Sequence, residues 1–178
     1  GWTSSHDLQS HFLRRVQAIL TGLGRKAGAW EEAALGGGIA ADGAYLVAWR
    51  HSRSGARLAA EGYDVVLGPA EHAYFDMAQR DDFAEPGASW AGTVPLAATY
   101  GFDPGADWPE ALRPRLIGVQ SCLWSENLND KRLFDHLVYP RLSALAETAW
   151  TPRAAKSWPR FLALHPLMPA SRIGSGDG

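Results

Sequence analysis

The segment QSCLWSEN, residues 120 to 127, leaves an apolar run with Trp124 two positions before Glu126. On a strand, positions two apart share a face, so the indole and the carboxylate would point the same way. An aromatic face packs on the C–H side of a pyranose ring while a carboxylate accepts hydrogen bonds from its hydroxyls, and few other ligands want both. The same two residues also fit a core indole followed by a solvated strand end. Tyr74 and Asp76 repeat the two-residue spacing in GPAEHAYFD. Of the eight tryptophans, several sit beside Gly, Pro or carboxylates and not inside aliphatic runs: Trp30 in AWEE, Trp49 in AWR, and Trp90 in a Gly- and Pro-rich stretch.

The elements that would position these residues alternate. Leu8, Phe12, Leu13, Val16, Ile19 and Leu20 recur at helical spacing after a candidate Ser4 or Ser5 cap, which predicts a helix over about 6–21 ended by Gly22 and Gly24. Lys26 to Glu31 reads as a short strand, 44–50 (AYLVAWR) and 64–70 (DVVLGPA) as apolar strands, and Ser54 to Glu61 as the helix between them. Residues 80–115 turn to Gly, Pro, Asp and Trp with little periodicity, and a connection that long usually carries function. A strand over 116–123, a helix over about 130–149 and a short helix near 155–164 follow. Strand, helix and strand at intervals of about 20 residues describe βα units on a parallel sheet. The fold class expected is α/β, a partial barrel of about four βα units with outer helices. Trp30, Trp49, Tyr74, Asp76, Trp124 and Glu126 all follow the carboxyl ends of strands, the edge where such sheets build sites.

Composition narrows the partners. The chain has 178 residues, 46% apolar and 20% charged, an ordinary globular balance for one domain. A net charge of -2 without a basic cluster argues against nucleic acid or an anionic membrane as partner. Cys122 is the one cysteine, and the six histidines show no ligand spacing, so neither a metal nor another cofactor is expected. No run approaches the roughly 18 apolar residues of a membrane helix. One thiol fits the cytosol, and a processed secreted chain would look the same, so the compartment stays open.

Taken together, AWEEA (29–33), AWR (48–50), GYDVVLGPAEHAYFD (62–76), the lone Trp90 in the long loop, CLWSEN (122–127) and YPRLSALAETAW (139–150) resemble, in order and spacing, the C-terminal half of the catalytic barrel of family 20 glycoside hydrolases, the β-N-acetylhexosaminidases. The resemblance implies that Trp30, Trp49 and Trp124 wall the pocket around the N-acetyl group and the terminal sugar. It implies that the Tyr74 hydroxyl bonds the acetamido oxygen, and that Asp76 and Glu126 hold hydroxyls at the far side of the ring with Trp90 beside them. From the residues alone, Trp30 and Trp49 also fit barrel-end core, and Trp90 a packing anchor. Glu31, Glu32, Glu147 and His51 read as strand-end or helix-face charges without chemistry.

Enzymes of that family use substrate assistance, with a glutamic acid as proton donor preceded by an aspartate that orients the acetamido nitrogen. The chain contains no Asp-Glu dipeptide, and its first helix matches the one after the family's fourth strand. Residues 1–165 are therefore expected to form half of a (β/α)8 domain, with a flexible tail over 166–178. The expected function is the sugar-binding half of an exo-β-N-acetylhexosaminidase acting on glycans that end in N-acetylglucosamine or N-acetylgalactosamine, inactive alone. The expected partner is a second copy or an N-terminal half-barrel. The alternatives are a non-catalytic carbohydrate-binding module, a two-carboxylate glycosidase using Asp76 and Glu126, and a purely structural half-barrel.

Overall fold

Ser4 caps the first helix, its hydroxyl accepting the Asp7 N–H at 3.1 Å, and the chain leaves that helix through Gly24 at φ +66°. The structure is a computed structural model in which residues 4–167 are described. It clusters into two compact units: the described residues up to Pro69 with Pro104–Val119, and Ala70–Asp103 with the described residues from Gln120 on.

The first unit is a parallel sheet with its crossover helices. It contains α1 (Ser5–Gly22), β1 (Ala27–Trp30), β2 (Ala44–Ala48), α2 (Ser52–Ala60), β3 (Asp64–Leu67) and β4 (Leu116–Val119). The strands pair in the order β1-β2-β3-β4, with Trp30 opposite Val47, Leu46 opposite Val65 and Leu67 opposite Val119. On the inner strands one face is sealed, with Leu46, Val65 and Leu67 sharing it and having no exposed surface, while Tyr45 and Val66 on the other face are half-buried. Helix α2 lies close to β3 at Gly55, where an added Cβ would sit 2.7 Å from Leu67 Cδ2 and 2.8 Å from Trp108 Cζ2. The Trp108 indole donates to the Ser52 carbonyl at 3.0 Å, and Arg115 donates to the Gly62 carbonyl at 2.6 Å as the chain enters β4.

Helix α1 departs from the expected simple amphipathic packing. Its buried side is polar: Gln17 makes three hydrogen bonds of 2.8–3.0 Å with the main chain of Ala40 and Asp42, and Ser10 donates to the carbonyls of Leu35 and Gly36. Leu13, Val16 and Leu20 are half-buried, while Leu8, Phe12 and Ile19 are 53%, 64% and 62% exposed. Buried amide and hydroxyl groups must be paired, and the irregular segment 35–42 offers carbonyls that only polar side chains can satisfy.

The second unit is helical: α3 (Ala70–Ala73), α4 (Leu96–Gly101), α5 (Lys131–Val138), α6 (Arg141–Trp150) and α7 (Trp158–Leu164). Tyr100, Ala144 and Phe161 form one cluster of its core, with Leu96 and Trp158 against them, and Phe75, Met77, Val94 and Leu137 are buried as well. Three expectations change. The single helix predicted over 130–149 is two, α5 capped by Asp130 and α6 starting after Pro140, because proline lacks the N–H and crowds the preceding turn. The stretch 80–115 carries α4 and a 3-10 turn, Glu110–Arg115. Strand β4 stops at Val119 and its predicted continuation survives as an isolated bridge at Cys122. From residue 168 on, the tail expected over 166–178 lies outside the described residues.

Replacing Gly55 by Ala forces a methyl against Leu67 and Trp108. We expect a loss of about 1–3 kcal/mol, seen in chemical denaturation as a lower midpoint with an unchanged slope.

Candidate functional site

In the second unit, a pair of main-chain bonds brings two distant segments side by side. Phe75 N–H donates to the Cys122 carbonyl at 2.7 Å and Cys122 N–H to the Ala73 carbonyl at 2.9 Å, a parallel bridge between Tyr74 and Cys122. The side chains that follow meet. The Tyr74 ring lies 5.9 Å from Trp90, nearly perpendicular at 76°, and 6.1 Å from Trp124 at 57°. Tyr74 is buried, and its hydroxyl shares hydrogen bonds with the side chains of Trp124 and Cys122. Burial first, then the neighbouring Cys122 and Asp76, push its pKa far above the usual phenol value, so it stays a neutral hydrogen-bonding hydroxyl throughout the physiological range. Trp90 and Trp124 keep 61% and 41% of their surface exposed, which leaves apolar rings open beside a buried polar one.

The loop that carries Trp90 is folded back onto Asp76. Ala88 N–H donates to the Asp76 carbonyl at 2.7 Å, and Ala78 N–H to the Ala88 carbonyl at 2.8 Å. Gly87 permits this at φ +121°, where a Cβ would lie 2.7 Å from Ala78 N. Farther along, the fully buried Glu85 carboxylate joins Arg80 (2.6 Å) to His136 (2.8 Å), and Gln79 donates to the His136 carbonyl at 2.7 Å. Burial alone would raise the Glu85 pKa, but the bonds from His136 and Arg80 outweigh it and hold it below the usual carboxylate value. That clamp contributes stability above the ordinary carboxylate range and loses it as pH falls through the lowered pKa.

Asp76 is the opposite case. It is 7% exposed, its Oδ1 has no hydrogen-bond partner, and its remaining bonds come from its own backbone N–H and that of Trp124. Burial raises its pKa, aided by the charge of Glu126 and opposed by Arg141. The exposed Glu126 thus lies within electrostatic reach of this cluster. The second unit therefore brings together Tyr74, Asp76, Trp90 and Trp124.

Trp30 and Trp49 belong to the first unit. Trp30 ends β1 and is 37% exposed; Trp49 follows β2 directly. The Trp49 indole donates to Glu32 Oε1 at 2.9 Å, and the Arg50 guanidinium sits 5.4 Å from its ring centre. Arg50 also pairs with Glu32 at 2.9 Å and Glu31 at 3.2 Å, while the Ser54 hydroxyl donates to Glu31 at 2.5 Å. Glu31 is only 3% exposed, and burial raises its pKa. So Glu31 and Glu32, which from sequence look like idle strand-end charges, fix the orientation of Trp49 and Arg50. Glu147 likewise accepts from the Tyr100 hydroxyl at 3.0 Å. Cys122 and Arg141 lie in motifs visible in the sequence, yet only the fold gives them partners. Among the described residues there is no cluster of His, Cys, Asp and Glu fit for a metal, and no helix long and apolar enough to cross a membrane.

The unpaired Oδ1 makes Asp76 costly. With its folded pKa raised, stability is lost as pH rises through that value. Asp76→Asn should therefore stabilise the chain at neutral pH by about 1 kcal/mol, about 2–4 °C in melting temperature, with the advantage vanishing in acid where Asp76 is already protonated. Calorimetry at the two pH values checks this.

Comparison with known proteins places this geometry in context. Residues 1–153 match the model of the glycosyl hydrolase family 20 catalytic domain. The chain is 38% identical to a beta-hexosaminidase of Vibrio furnissii over 82% of its own length and 24% of the relative's. It is 34% identical to a beta-hexosaminidase of Porphyromonas gingivalis over 90% of the chain and 21% of the relative. Among solved structures, the exo beta-N-acetylglucosaminidase of Vibrio harveyi in complex with N-acetylglucosamine superposes with a TM-score of 0.85 at 36% identity, over 92% of this chain and 26% of that one. A beta-N-acetylhexosaminidase of Streptomyces coelicolor gives 0.76 at 32%, over 89% and 33%. The chain thus spans about a fifth to a third of the length of these relatives.

Proposed function

Because the chain belongs to glycosyl hydrolase family 20, we propose that it forms the sugar-binding side of an exo-β-N-acetylhexosaminidase. The observation that carries this reading is the cluster of the second unit: a neutral buried phenol, two open indoles and a buried carboxylate, Asp76, with the exposed Glu126 in electrostatic reach. An N-acetylhexosamine has the complementary groups, an acetamido oxygen to accept from a hydroxyl, an apolar ring face, and hydroxyls to donate to carboxylates. Tyr74 is assigned to the acetamido oxygen, Trp124 and Trp90 to the apolar faces, and Asp76 and Glu126 to the hydroxyls. The parts given to Trp30 and Trp49 rest on the family alone.

In substrate-assisted hydrolysis, the acetamido oxygen bonds to the anomeric carbon as the glycosidic bond breaks, and a carboxylic acid protonates the departing oxygen. A hydrogen bond from Tyr74 keeps the acetamido group aimed, and the indoles keep water from competing with it. The 178 residues contain no Asp-Glu pair, so the proton donor is assigned to the remainder of the barrel. Support for such a remainder comes from the first unit. A closed barrel needs eight βα units, the sheet has four strands, and Leu8, Phe12 and Ile19 on α1 and Ile117 on β4 are more than half exposed. We infer that the other βα units of the barrel cover these surfaces.

Sedimentation tests that inference: the isolated chain should self-associate and become a defined 1:1 species when mixed with a polypeptide carrying the first four βα units. A stable, monodisperse monomer of the isolated chain would overturn it. For the site, N-acetylglucosamine affinity followed by tryptophan fluorescence should fall about tenfold or more in Glu126→Gln and Tyr74→Phe. Turnover of nitrophenyl N-acetylglucosaminide should appear only with the complementing polypeptide. Full turnover by the unaided chain would remove the assignment of the acid, and unchanged affinity in both variants would remove the assignment of the site.

A further inference from the structure

Arg141, the first residue of α6, has no exposed surface. Each of its five N–H donors is used, and each meets a main-chain carbonyl. Nε donates to Leu137 at 2.8 Å, Nη1 to Met77 at 3.0 Å and Val94 at 2.9 Å, and Nη2 to Phe75 at 2.6 Å and to Leu137 as well. The guanidinium also lies over the Phe75 ring, 5.1 Å from its centre. Two of these carbonyls flank Asp76, a third closes the return of the loop bearing Trp90, and the fourth lies in the last turn of α5.

Burying an arginine without a carboxylate in contact is expensive, and a stability role would be met at least as well by apolar packing. What the guanidinium adds is geometry, a planar fork that fixes several oxygens at once. A lysine has three donors on a flexible stem and cannot span the same set. We propose that Arg141 is a positioning residue for the sugar site: by holding the Phe75 and Met77 carbonyls on either side of Asp76, it sets the direction of the Asp76 carboxyl and the neighbouring Tyr74 toward the ligand. Its cationic charge near Asp76 also favours the ionised carboxylate, against the burial that disfavours it. Burial lowers the pKa of Arg141 itself to about 10, so it remains charged at neutral pH.

The proposal rests on Tyr74 and Asp76 being sugar contacts, and the test separates the two ideas. Affinity for N-acetylglucosamine is measured on the full chain for the wild type, Arg141→Lys, Asp76→Asn and the double variant. Arg141→Lys should bind about tenfold more weakly, and adding it to Asp76→Asn should cost clearly less than that, because part of the effect of Arg141 runs through Asp76. Guanidinium ion added to Arg141→Ala should restore part of the affinity. Independent, additive losses would overturn the proposal, as would wild-type affinity in Arg141→Lys. If the variants do not fold, the wild type decides by NMR: sugar should shift the Arg141 Nε–H resonance together with the Trp124 indole signal. A shift of Trp124 alone overturns the role of Arg141 and leaves the site standing. No response of either signal removes the site reading and this inference with it.

Discussion

Two backbone hydrogen bonds, at 2.7 and 2.9 Å, pair Tyr74 with Cys122 across 48 residues of sequence, and the second unit's site depends on them. They put both segments in register, so the side chains two positions on, Asp76 and Trp124, also fall side by side, with Trp124 N–H bonding the Asp76 carboxyl. Main-chain pairing is well suited to this task. It is independent of side-chain identity, so the residues it aligns can be chosen for chemistry while the frame stays fixed. The bridge extends the logic of the sheet, whose strands deliver residues at their carboxyl ends, after the sheet itself has stopped at Val119.

The buried polar groups of the second unit divide by purpose. Glu85 has both oxygens engaged, and Arg141 has all five donors engaged. Asp76 between them keeps one oxygen without a partner. Buried groups left unpaired oppose folding, so such a group persists only where its neighbours fix it. Here they do so through the carbonyls of Phe75 and Met77 and through the loop folded over it at Gly87. Satisfied surroundings of this kind leave the Asp76 carboxyl little freedom of orientation.

Much of this was legible in the sequence because it follows from periodicity. The four strands, the helices that flank them and the placement of aromatic and acidic residues after strand ends come from runs such as AYLVA and DVVL with their Gly punctuation. The division into α5 and α6 was missed although Pro140 marks it, because the apolar spacing of Leu133, Leu137 and Leu145 runs on through the break. The polar inner side of α1 was hidden for another reason. Gln17 and Ser10 are buried by a segment, 35–42, that has no period of its own, and only its coordinates show carbonyls in need of donors. The supporting roles of Glu31, Glu32 and Arg141 share that origin: their partners lie 4 to 66 residues away in the chain, and no local pattern encodes them. Among the residues singled out for chemistry, the meeting of Tyr74, Trp90 and Trp124 is a property of the fold that spacing alone could only suggest.

The outer strand β4 bears on how the polypeptide meets other extended chains. Ile117 is 53% exposed there, on a strand whose far edge pairs with no other strand of this sheet. An open parallel edge beside aliphatic side chains accepts any extended segment that presents complementary backbone groups. How readily such segments add to this strand is therefore set by their concentration around the polypeptide.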